Sequence, residues 1–268
     1  MLSAEKQIHL PIMYNHNSIE PKINTAILLQ QVSVQYRIPS EAIRTFKEYA
    51  IQMVQGRIKH HAFWALKEID MEVHQGEIFG ILGRNGAGKS TLLKVISKVL
   101  IPTEGRLWIK GYISPLLQLG AGFHPELTGL ENIYLNATLL GRSRVEIEEK
   151  MDEIISFAEI GSFIEAPLRT YSSGMNARLG FAVASAWQPD ILILDEVLSV
   201  GDAAFQEKCF DRMEKFRDSG ATVLMVSHSV DQVRKLCKRA LWLDRGEIQK
   251  IGDADEVCDA YKQALAVR

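Results

Sequence analysis

Apolar and polar positions along the chain follow two periods, and together they predict a protein that interleaves strands and helices. Short apolar runs, several of them alternating, predict strands at 26–36, 62–73, 77–82, 106–109, 112–117, 191–194, 221–226, 241–243 and 247–251. Apolar residues at helical spacing predict helices at 40–55, 91–100, 130–140, 145–158, 176–187, 203–216 and 257–264. This interleaving favours an α/β fold.

Composition and charge are those of an ordinary globular protein. The chain has 268 residues, of which 47% are hydrophobic and 24% charged, so it can bury a substantial core. The net charge of −2 argues against wholesale nucleic-acid binding, although a local basic patch stays open, and we expect no nucleic-acid partner. The cysteines, Cys209, Cys237 and Cys258, show neither metal-ligand spacing nor a disulfide framework, which fits a reduced cytosolic compartment.

The N-terminus and the apolar runs bear on the question of a membrane. Residues 1–26 are polar and irregular, and we interpret them as a loosely ordered extension, with a small partner contact as the alternative. They lack a basic start followed by an apolar core, so we expect no signal peptide. No apolar run approaches the ~18 residues that a membrane-spanning helix needs. Any spans must therefore come from another chain.

The predicted helix 40–55 lies in a basic interval, 37–61. Its apolar residues fall on one face: Ile43, Phe46, Ala50, Met53 and Val54. Basic residues outnumber Glu41 and Glu48 across the interval: Arg37, Arg44, Lys47, Arg57 and Lys59. Such a helix either lies against anionic lipid headgroups or packs on the domain with a solvated basic face.

The clearest chemical motif is the stretch Gly83–Ser90, which has the spacing G-x-x-x-x-G-K-S. A predicted strand precedes it and a predicted helix follows it, the setting of a loop that binds phosphate through backbone N–H groups. Lys89 is positioned to reach the β- and γ-phosphates of a bound nucleotide, and the Ser90 hydroxyl to ligate Mg²⁺. The alternative is a glycine turn that binds nothing. The predicted nucleotide contacts are Gly83, Asn85, Gly86, Gly88, Lys89, Ser90 and Thr91.

An acidic pair, Asp195 and Glu196, ends the apolar run 191–194. Apolar residues leading into such a pair are typical of a Walker B element. We predict that Asp195 holds Mg²⁺ and that Glu196 polarises the attacking water as general base. Without the phosphate loop, an acidic pair at a strand end is more often a solvated turn.

Three further features have both a functional and an ordinary interpretation. Tyr36 stacks on an adenine ring or packs in the core or at a sheet edge. His228 follows a predicted strand and hydrogen-bonds a γ-phosphate, or is one of the many histidines with a purely structural role. Ser172 and Gly174 precede the helix 176–187 and form an anion site, or merely a helix cap.

Taken in order, these motifs resemble an ABC transporter ATPase over about residues 27–252. The resemblance implies a P-loop NTPase core of the RecA type, with an antiparallel β subdomain and an inserted helical subdomain at about 118–182, in one ABC ATPase domain, 27–268. It also implies that Gln118 serves catalysis and the metal. Ser172 and Gly174 would bind the γ-phosphate held by an opposing subunit, so we expect a homodimer. The usual Leu-Ser-Gly-Gly-Gln signature is Tyr-Ser-Ser-Gly-Met here, and only Ser172 and Gly174 carry over.

A narrower resemblance is to the ATP-binding subunits of bacterial O-antigen and teichoic-acid exporters. It rests on residues 63–66, 117–129, 171–175 and 200–205. It adds Asp202 to the predicted nucleotide-site residues and favours the membrane-facing interpretation of the basic helix. It implies two transmembrane permease subunits that carry a lipid-linked glycan, with this chain peripheral on the cytoplasmic face of the cell membrane. Some relatives carry a C-terminal carbohydrate-binding domain, which we do not expect here because the chain ends at Arg268.

Two other functions share these motifs. An ABC transporter with a different cargo has every catalytic residue in common. A soluble ABC ATPase of translation or DNA repair usually fuses two cassettes or carries coiled-coil or zinc insertions, and neither is visible in this sequence.

Overall fold

The computed structural model describes residues 21–39, 60–115, 120, 122–194, 201–227 and 229–266. The strands are β1 Thr25–Pro39, β2 His60–His74, β3 Ile78–Leu82, β4 Glu104–Ile109, β5 Ile113–Pro115, β6 Ile191–Leu194, β7 Thr222–Val226, β8 Arg239–Asp244 and β9 Glu247–Asp253. The α-helices are α1 Lys89–Ile96, α2 Gly129–Leu139, α3 Arg144–Ala158, α4 Ser173–Ala184, α5 Ala203–Asp218, α6 Val230–Leu236 and α7 Ala254–Ala266. Two short 3₁₀ helices, Gly161–Glu165 and Leu168–Thr170, precede α4.

The larger sheet has the strand order β5-β6-β7-β3-β8-β9, with every neighbouring pair parallel except β8 and β9. Its inner strands are short apolar runs because both faces of the sheet are covered. All four residues of β6 are buried. Parallel strands present their carboxyl ends at one edge of a sheet, so β3 leads into the phosphate loop at the same edge where β6 ends.

The smaller sheet is antiparallel, with the order β2-β1-β4. Buried residues of this sheet, of α1 and of the larger sheet form one apolar cluster. It includes Ile27 and Leu29 of β1, Leu66 and Ile69 of β2, Phe79 of β3, and Leu92 and Leu93 of α1. Burial of this cluster fixes the phosphate loop, since the loop lies between β3 and α1, which both contribute to it. The predicted combination of a parallel core and an antiparallel β subdomain is confirmed.

A helical segment, α2 to α4, packs on the other side of the larger sheet. Reciprocal side-chain to backbone hydrogen bonds cap α2 through Thr128 and Glu131, and α3 in the same way. Phe157 of α3 stacks on Phe181 of α4 at 5.7 Å between ring centroids, and it meets Phe205 of α5 edge-on at 5.6 Å. These rings join the helical segment to α5.

Several predicted bounds differ from the structure. The helix α1 ends at Ile96 rather than at 100, and Lys98 adopts a left-handed φ of 59°. The helix α4 spans Ser173–Ala184 rather than 176–187, and β5 covers Ile113–Pro115 within the predicted 112–117, whose last two residues lie outside the described part. The helix α6 was not predicted, although Ser229, which caps it, and Gln232 have the spacing of a capping box.

The predicted basic helix, 40–55, lies outside the described part of the chain. Strands β1 and β2 take up both ends of the interval 37–61, and residues 40–59 lie outside the described part of the chain. Most of the predicted extension, residues 1–20, also lies outside it. Among the helices that the structure describes, none has the length and apolar character to cross a bilayer.

Candidate functional site

The phosphate loop turns sharply between β3 and α1. Gly88 caps α1 with a left-handed φ of 107°, and a Cβ there would lie 2.7 Å from the Ala65 carbonyl oxygen. Only glycine fits this position. No side chain caps α1, and its first turn holds no acidic residue, so the positive end of the helix faces the loop. The loop therefore has the backbone geometry and the electrostatic potential of an anion site.

Lys89 is buried, and its ammonium group lies across the loop to which it belongs. Its Nζ donates hydrogen bonds to the carbonyl oxygens of Gly83 at 2.6 Å and of Arg84 at 3.0 Å. The Ala87 N–H also donates to the Arg84 carbonyl, at 3.1 Å. The loop thus holds one positive charge among its own backbone groups, beside the start of α1.

A cleft of about 870 Å³ opens over this loop. Most of the predicted phosphate-loop contacts line it: Asn85, Gly86, Gly88, Lys89, Ser90 and Thr91. Gly83 is buried next to it and accepts the Lys89 hydrogen bond. Of the described residues lining the cleft, none is acidic and four are basic, namely Lys67, Arg84, Lys89 and Arg245. A polyphosphate matches this volume and this charge.

Aromatic side chains form another wall of the same cleft. Tyr36 of β1 lies directly opposite Phe63 of β2, and Trp64 also lines the cleft. Tyr36 is 36% exposed and Phe63 53% exposed, so neither ring is committed to the core. This exposure argues against packing of Tyr36 in the core, and stacking of its ring on a base stays a prediction. A purine base is flat and apolar enough to stack there.

The aromatic and basic residues of this cleft that were missed as site residues are Phe63, Trp64, Lys67, Arg84 and Arg245. Phe63 and Trp64 entered the sequence analysis only through the family resemblance. Arg245 lies in a predicted hairpin turn that comes near the phosphate loop because the Gly246 N–H donates to the Ala87 carbonyl at 2.9 Å. That contact joins distant parts of the chain, and the local sequence pattern carries no sign of it.

Ser172 and Gly174 lie apart from this cleft. Ser172 is exposed and caps α4, where its hydroxyl accepts the Met175 N–H at 3.1 Å. None of the described residues lining the cleft comes from α4 or from the turn before it. The structure therefore does not bring the serine-glycine cap and the phosphate loop of one chain together.

Asp202 also lies outside the cleft lining. Its Oδ1 accepts the Phe205 N–H at 3.0 Å as the cap of α5, and its Oδ2 accepts a hydrogen bond from Arg178 at 2.7 Å. These contacts hold the pKa of the Asp202 carboxyl below its ordinary value: the Phe205 N–H has the largest effect, burial partly opposes it, and Arg178 lowers the pKa further. The carboxyl is thus ionised at neutral pH.

The remaining predicted site residues lie outside the described part of the chain: Gln118, Asp195, Glu196 and His228. The described strands nevertheless indicate where the acidic pair begins. Leu194 ends β6, two strands from β3 in the parallel sheet, and Asp195 is the next residue.

Comparison with known proteins agrees with this geometry. The family model described as "ABC transporter" matches residues 66–199. The O-antigen export system ATP-binding protein RfbB of Klebsiella pneumoniae is 44% identical over 250 residues, covering 92% of this chain and 100% of that protein. The RfbB of Myxococcus xanthus is 43% identical, but this chain spans only 58% of its length. The teichoic acids export ATP-binding protein TagH of Bacillus anthracis is 41% identical, and this chain spans 43% of its length.

Solved structures show the same fold. A dimeric ATP-binding cassette in a post-hydrolysis state, bound to ADP and Pi, superposes with a TM-score of 0.64 at 25% identity and covers 85% of this chain and 98% of that one. An ATP-binding subunit of another ABC transporter gives a TM-score of 0.67 at 20% identity, over 89% and 94%. Cassettes of this kind bind ATP and ADP and form dimers. The motif order, the cleft and these matches together place the chain in the ABC transporter family, as an ATP-binding subunit that hydrolyses ATP.

Proposed function

We propose that this chain is the ATP-hydrolysing subunit of an exporter that moves a lipid-linked polysaccharide of the O-antigen or teichoic-acid type across the cytoplasmic membrane. The observation that carries the cargo assignment is the full-length match to the Klebsiella O-antigen export protein, at 44% identity. The basic cleft over the phosphate loop supports the ATPase half of the proposal. Undecaprenyl diphosphate is the lipid carrier that this assignment implies.

The cleft supports definite roles for its residues. Tyr36 stacks on the adenine ring, and the loop N–H groups with Lys89 hold the phosphates. Ser90 lines the cleft, and its hydroxyl, with Asp195 and Gln118, would hold Mg²⁺. When bound, Mg²⁺ neutralises charge on the β- and γ-phosphates. Asn85 and Thr91 complete the contacts from the loop and the first turn of α1.

Hydrolysis in this proposal depends on residues near the ends of β6 and β7. Glu196 follows Asp195 and acts as the general base that polarises water. His228 lies two residues after β7 and hydrogen-bonds the γ-phosphate. Both lie outside the described residues, so their roles are inferred from the sequence and from the strand ends that lead to them.

The second half of each site comes from another copy of the chain. Ser172 is exposed and lies apart from the cleft of its own subunit, as expected for a group that reaches a partner's nucleotide. We infer that Ser172 and Gly174 contact the γ-phosphate across a homodimer and that Asp202 lies at the same interface. ATP closes this dimer, and hydrolysis reopens it.

The homodimer in turn acts on a pair of transmembrane permease subunits at the cytoplasmic face of the membrane. The permease pair carries the glycan, and this chain supplies the work of ATP. The predicted basic helix at 40–55 is the segment we assign to the neighbourhood of the lipid headgroups.

The proposal is tested in cells that lack this chain and are complemented with wild type, Lys89→Ala, Glu196→Gln or Lys238→Ala. Lys238 is exposed and outside the cleft, so its variant is the matched control. We expect Lys89→Ala and Glu196→Gln to abolish surface polysaccharide and to leave lipid-linked glycan inside the cell, while Lys238→Ala restores export. Purified Glu196→Gln should retain ATP binding without turnover.

Two outcomes would overturn the proposal. Normal surface polysaccharide with Lys89→Ala would contradict the export role. Co-purification of the wild-type chain with ribosomes or DNA, and with no polytopic membrane protein, would favour a remodelling ATPase instead.

A further inference from the structure

We propose that Arg245, in the turn between β8 and β9, binds the phosphate chain of the nucleotide. The inference rests on the proposed function, in which the cleft over the phosphate loop is the nucleotide site. It adds a cationic contact from the last hairpin of the fold, far in sequence from the loop itself. Three observations carry it: the backbone of the turn, its attachment and its charge.

The turn holds Arg245 in a conformation that arginine disfavours. Arg245 has a φ of 49° and Gly246 a φ of 81°, and the flanking residues Asp244 and Glu247 pair across the hairpin. Two successive left-handed residues in a two-residue hairpin form a type I′ turn, for which the favoured sequence is Asn-Gly. An L residue with a long side chain is strained there. Strain of this kind persists where the surroundings enforce it, and it is concentrated at functional sites.

The surroundings do enforce this turn. The Gly246 N–H donates to the Ala87 carbonyl of the phosphate loop at 2.9 Å, and the Gly246 carbonyl accepts the Lys67 N–H of β2 at 2.8 Å. A Cβ at Gly246 would lie 2.6 Å from the Ala65 carbonyl oxygen, so the turn is packed closely against β2. Arg245 therefore begins one residue away from a direct hydrogen bond to the phosphate loop.

The charge of Arg245 is not neutralised by the described residues. Its side chain is exposed and lines the cleft, and no carboxylate in the described ranges forms an ion pair with it. The neighbouring Lys67, by contrast, pairs with Glu247 at 2.7 Å. Because the described cleft lining has no acidic residue, an anionic ligand supplies the missing charge. The planar guanidinium group suits phosphate oxygens, to which it can donate two parallel hydrogen bonds.

The left-handed backbone at position 245 disfavours arginine, whereas binding of phosphate needs its charge. A substitution that relieves the backbone and removes the charge therefore separates a binding role from a structural one. Arg245→Asn places a residue that tolerates the left-handed region in the turn while it removes the charge. We expect the variant without nucleotide to unfold about 2 °C higher than wild type. We expect its Kd for ATP and ADP to rise about tenfold, with a weaker dependence of the Kd on salt. Arg245→Lys should lie between the two in affinity.

The experiment is calorimetric titration of the purified full-length chain with ATP, ADP and adenosine, alongside thermal unfolding of the chain without nucleotide. Lys89→Ala tests the cleft itself, and Lys238→Ala is the control for loss of an exposed cation. If Arg245→Asn binds ATP with the wild-type Kd while Lys89→Ala loses binding, Arg245 is only a turn residue and the inference fails alone. If Lys89→Ala also retains wild-type affinity, the cleft assignment fails with it. An equal loss of affinity for adenosine would overturn the contact to phosphate.

Discussion

Arg178 and Asp202 form an ion pair, with 2.7 Å between Nη2 and Oδ2, that joins α4 to the start of α5. The same guanidinium lies 3.3 Å from Glu159 Oε2 and 4.7 Å above the centre of the Phe205 ring. Ser172 caps α4, so the pair fixes the orientation of the serine cap relative to Asp202. Ser172 and Asp202 are both proposed to face the second subunit, so their relative position matters for the nucleotide site that the two subunits share.

Replacing Arg178 should impair hydrolysis more than binding. With Arg178→Ala we expect kcat for ATP to fall about tenfold or more, because catalytic groups at the dimer interface lose their alignment. KM should change by less than about twofold, since Tyr36 and Lys89 stay in place. Arg178→Lys retains the charge but loses the forked geometry, so its kcat should be intermediate. Steady-state ATPase assays measure both constants.

Lys208→Ala is the matched control for this prediction. Lys208 also pairs with Glu159, at 2.7 Å, and its Nζ lies 4.6 Å above the Phe157 ring, yet it does not contact Asp202. We expect its kcat to stay close to wild type. An equal fall in kcat for Lys208→Ala would point to a general loosening of α5 and away from the pair of Arg178 and Asp202.

The ionisation of Asp202 should make stability depend on pH on the acid side. The pKa of this carboxyl lies below its ordinary value of about 3.9 in the folded state, first because of the Phe205 N–H and then because of Arg178. A depressed pKa stabilises the fold at pH values above the unfolded pKa, and this stabilisation is lost as pH falls through the folded pKa. Asp202→Asn retains a helix cap but not the charge. Its deficit in urea midpoint relative to wild type should therefore be present at pH 6 and shrink below about pH 4.

A pH-independent difference between Asp202→Asn and wild type would contradict this account. Ser229→Ala serves as the control for an uncharged cap, because the Ser229 hydroxyl caps α6 by accepting the Gln232 N–H. It should cost about 1 kcal/mol of unfolding free energy.

How much of this molecule could be predicted depends on the range of the interactions involved. The phosphate loop was predictable because its strand, glycines and helix are contiguous, and β6 because a fully buried strand is an unbroken apolar run. The strand order β5-β6-β7-β3-β8-β9 was not readable from periodicity, since it depends on pairing between distant segments. The helix α6 has only seven residues, too few for its helical period to stand out.

The candidate site divides in the same way. Lys89 and Ser90 were identified from eight consecutive residues, whereas the approach of Arg245 depends on the hydrogen bond between Gly246 and Ala87. The pairing of Tyr36 with Phe63 depends on the register of β1 against β2, which has several shifts. Register with irregularities of this kind is not encoded in a local pattern of apolar residues.

Gly88→Ala should remove both stability and nucleotide binding. The new Cβ would meet backbone and side-chain atoms at 2.7 and 3.0 Å, in addition to the strain of a φ of 107°. We expect a loss of about 2 to 3 kcal/mol in unfolding free energy and no measurable ATP binding. Gly141→Ala is the control, because Gly141 has a φ of 82° but nothing within 4 Å of its Cβ position. It should lose only about 1 kcal/mol, and an equal loss in the two variants would show that the contact with β2 is unimportant.

Tyr36→Ala should weaken the binding of ATP while leaving the binding of inorganic tripolyphosphate unchanged, because only ATP carries a base. Loss of one stacked ring predicts a rise of about fivefold in the Kd for ATP. Tyr36→Phe retains the ring and should bind ATP like wild type. Phe210→Ala is a control for loss of an exposed aromatic side chain outside the cleft, since Phe210 is 49% exposed.

Titration of these three variants and of Phe63→Ala with both ligands separates stacking from a general disturbance of the cleft. If Tyr36→Ala weakened the binding of tripolyphosphate as much as the binding of ATP, the substitution would have disturbed the phosphate loop through β1 and β2. If Tyr36→Ala had no effect while Phe63→Ala weakened only ATP, the base would stack on the neighbouring strand, since the two residues lie opposite each other. If Tyr36→Ala alone weakens binding, and weakens it only for ATP, the adenine stacks on β1. The Tyr36 ring is then the only group whose removal affects the binding of ATP and not that of tripolyphosphate.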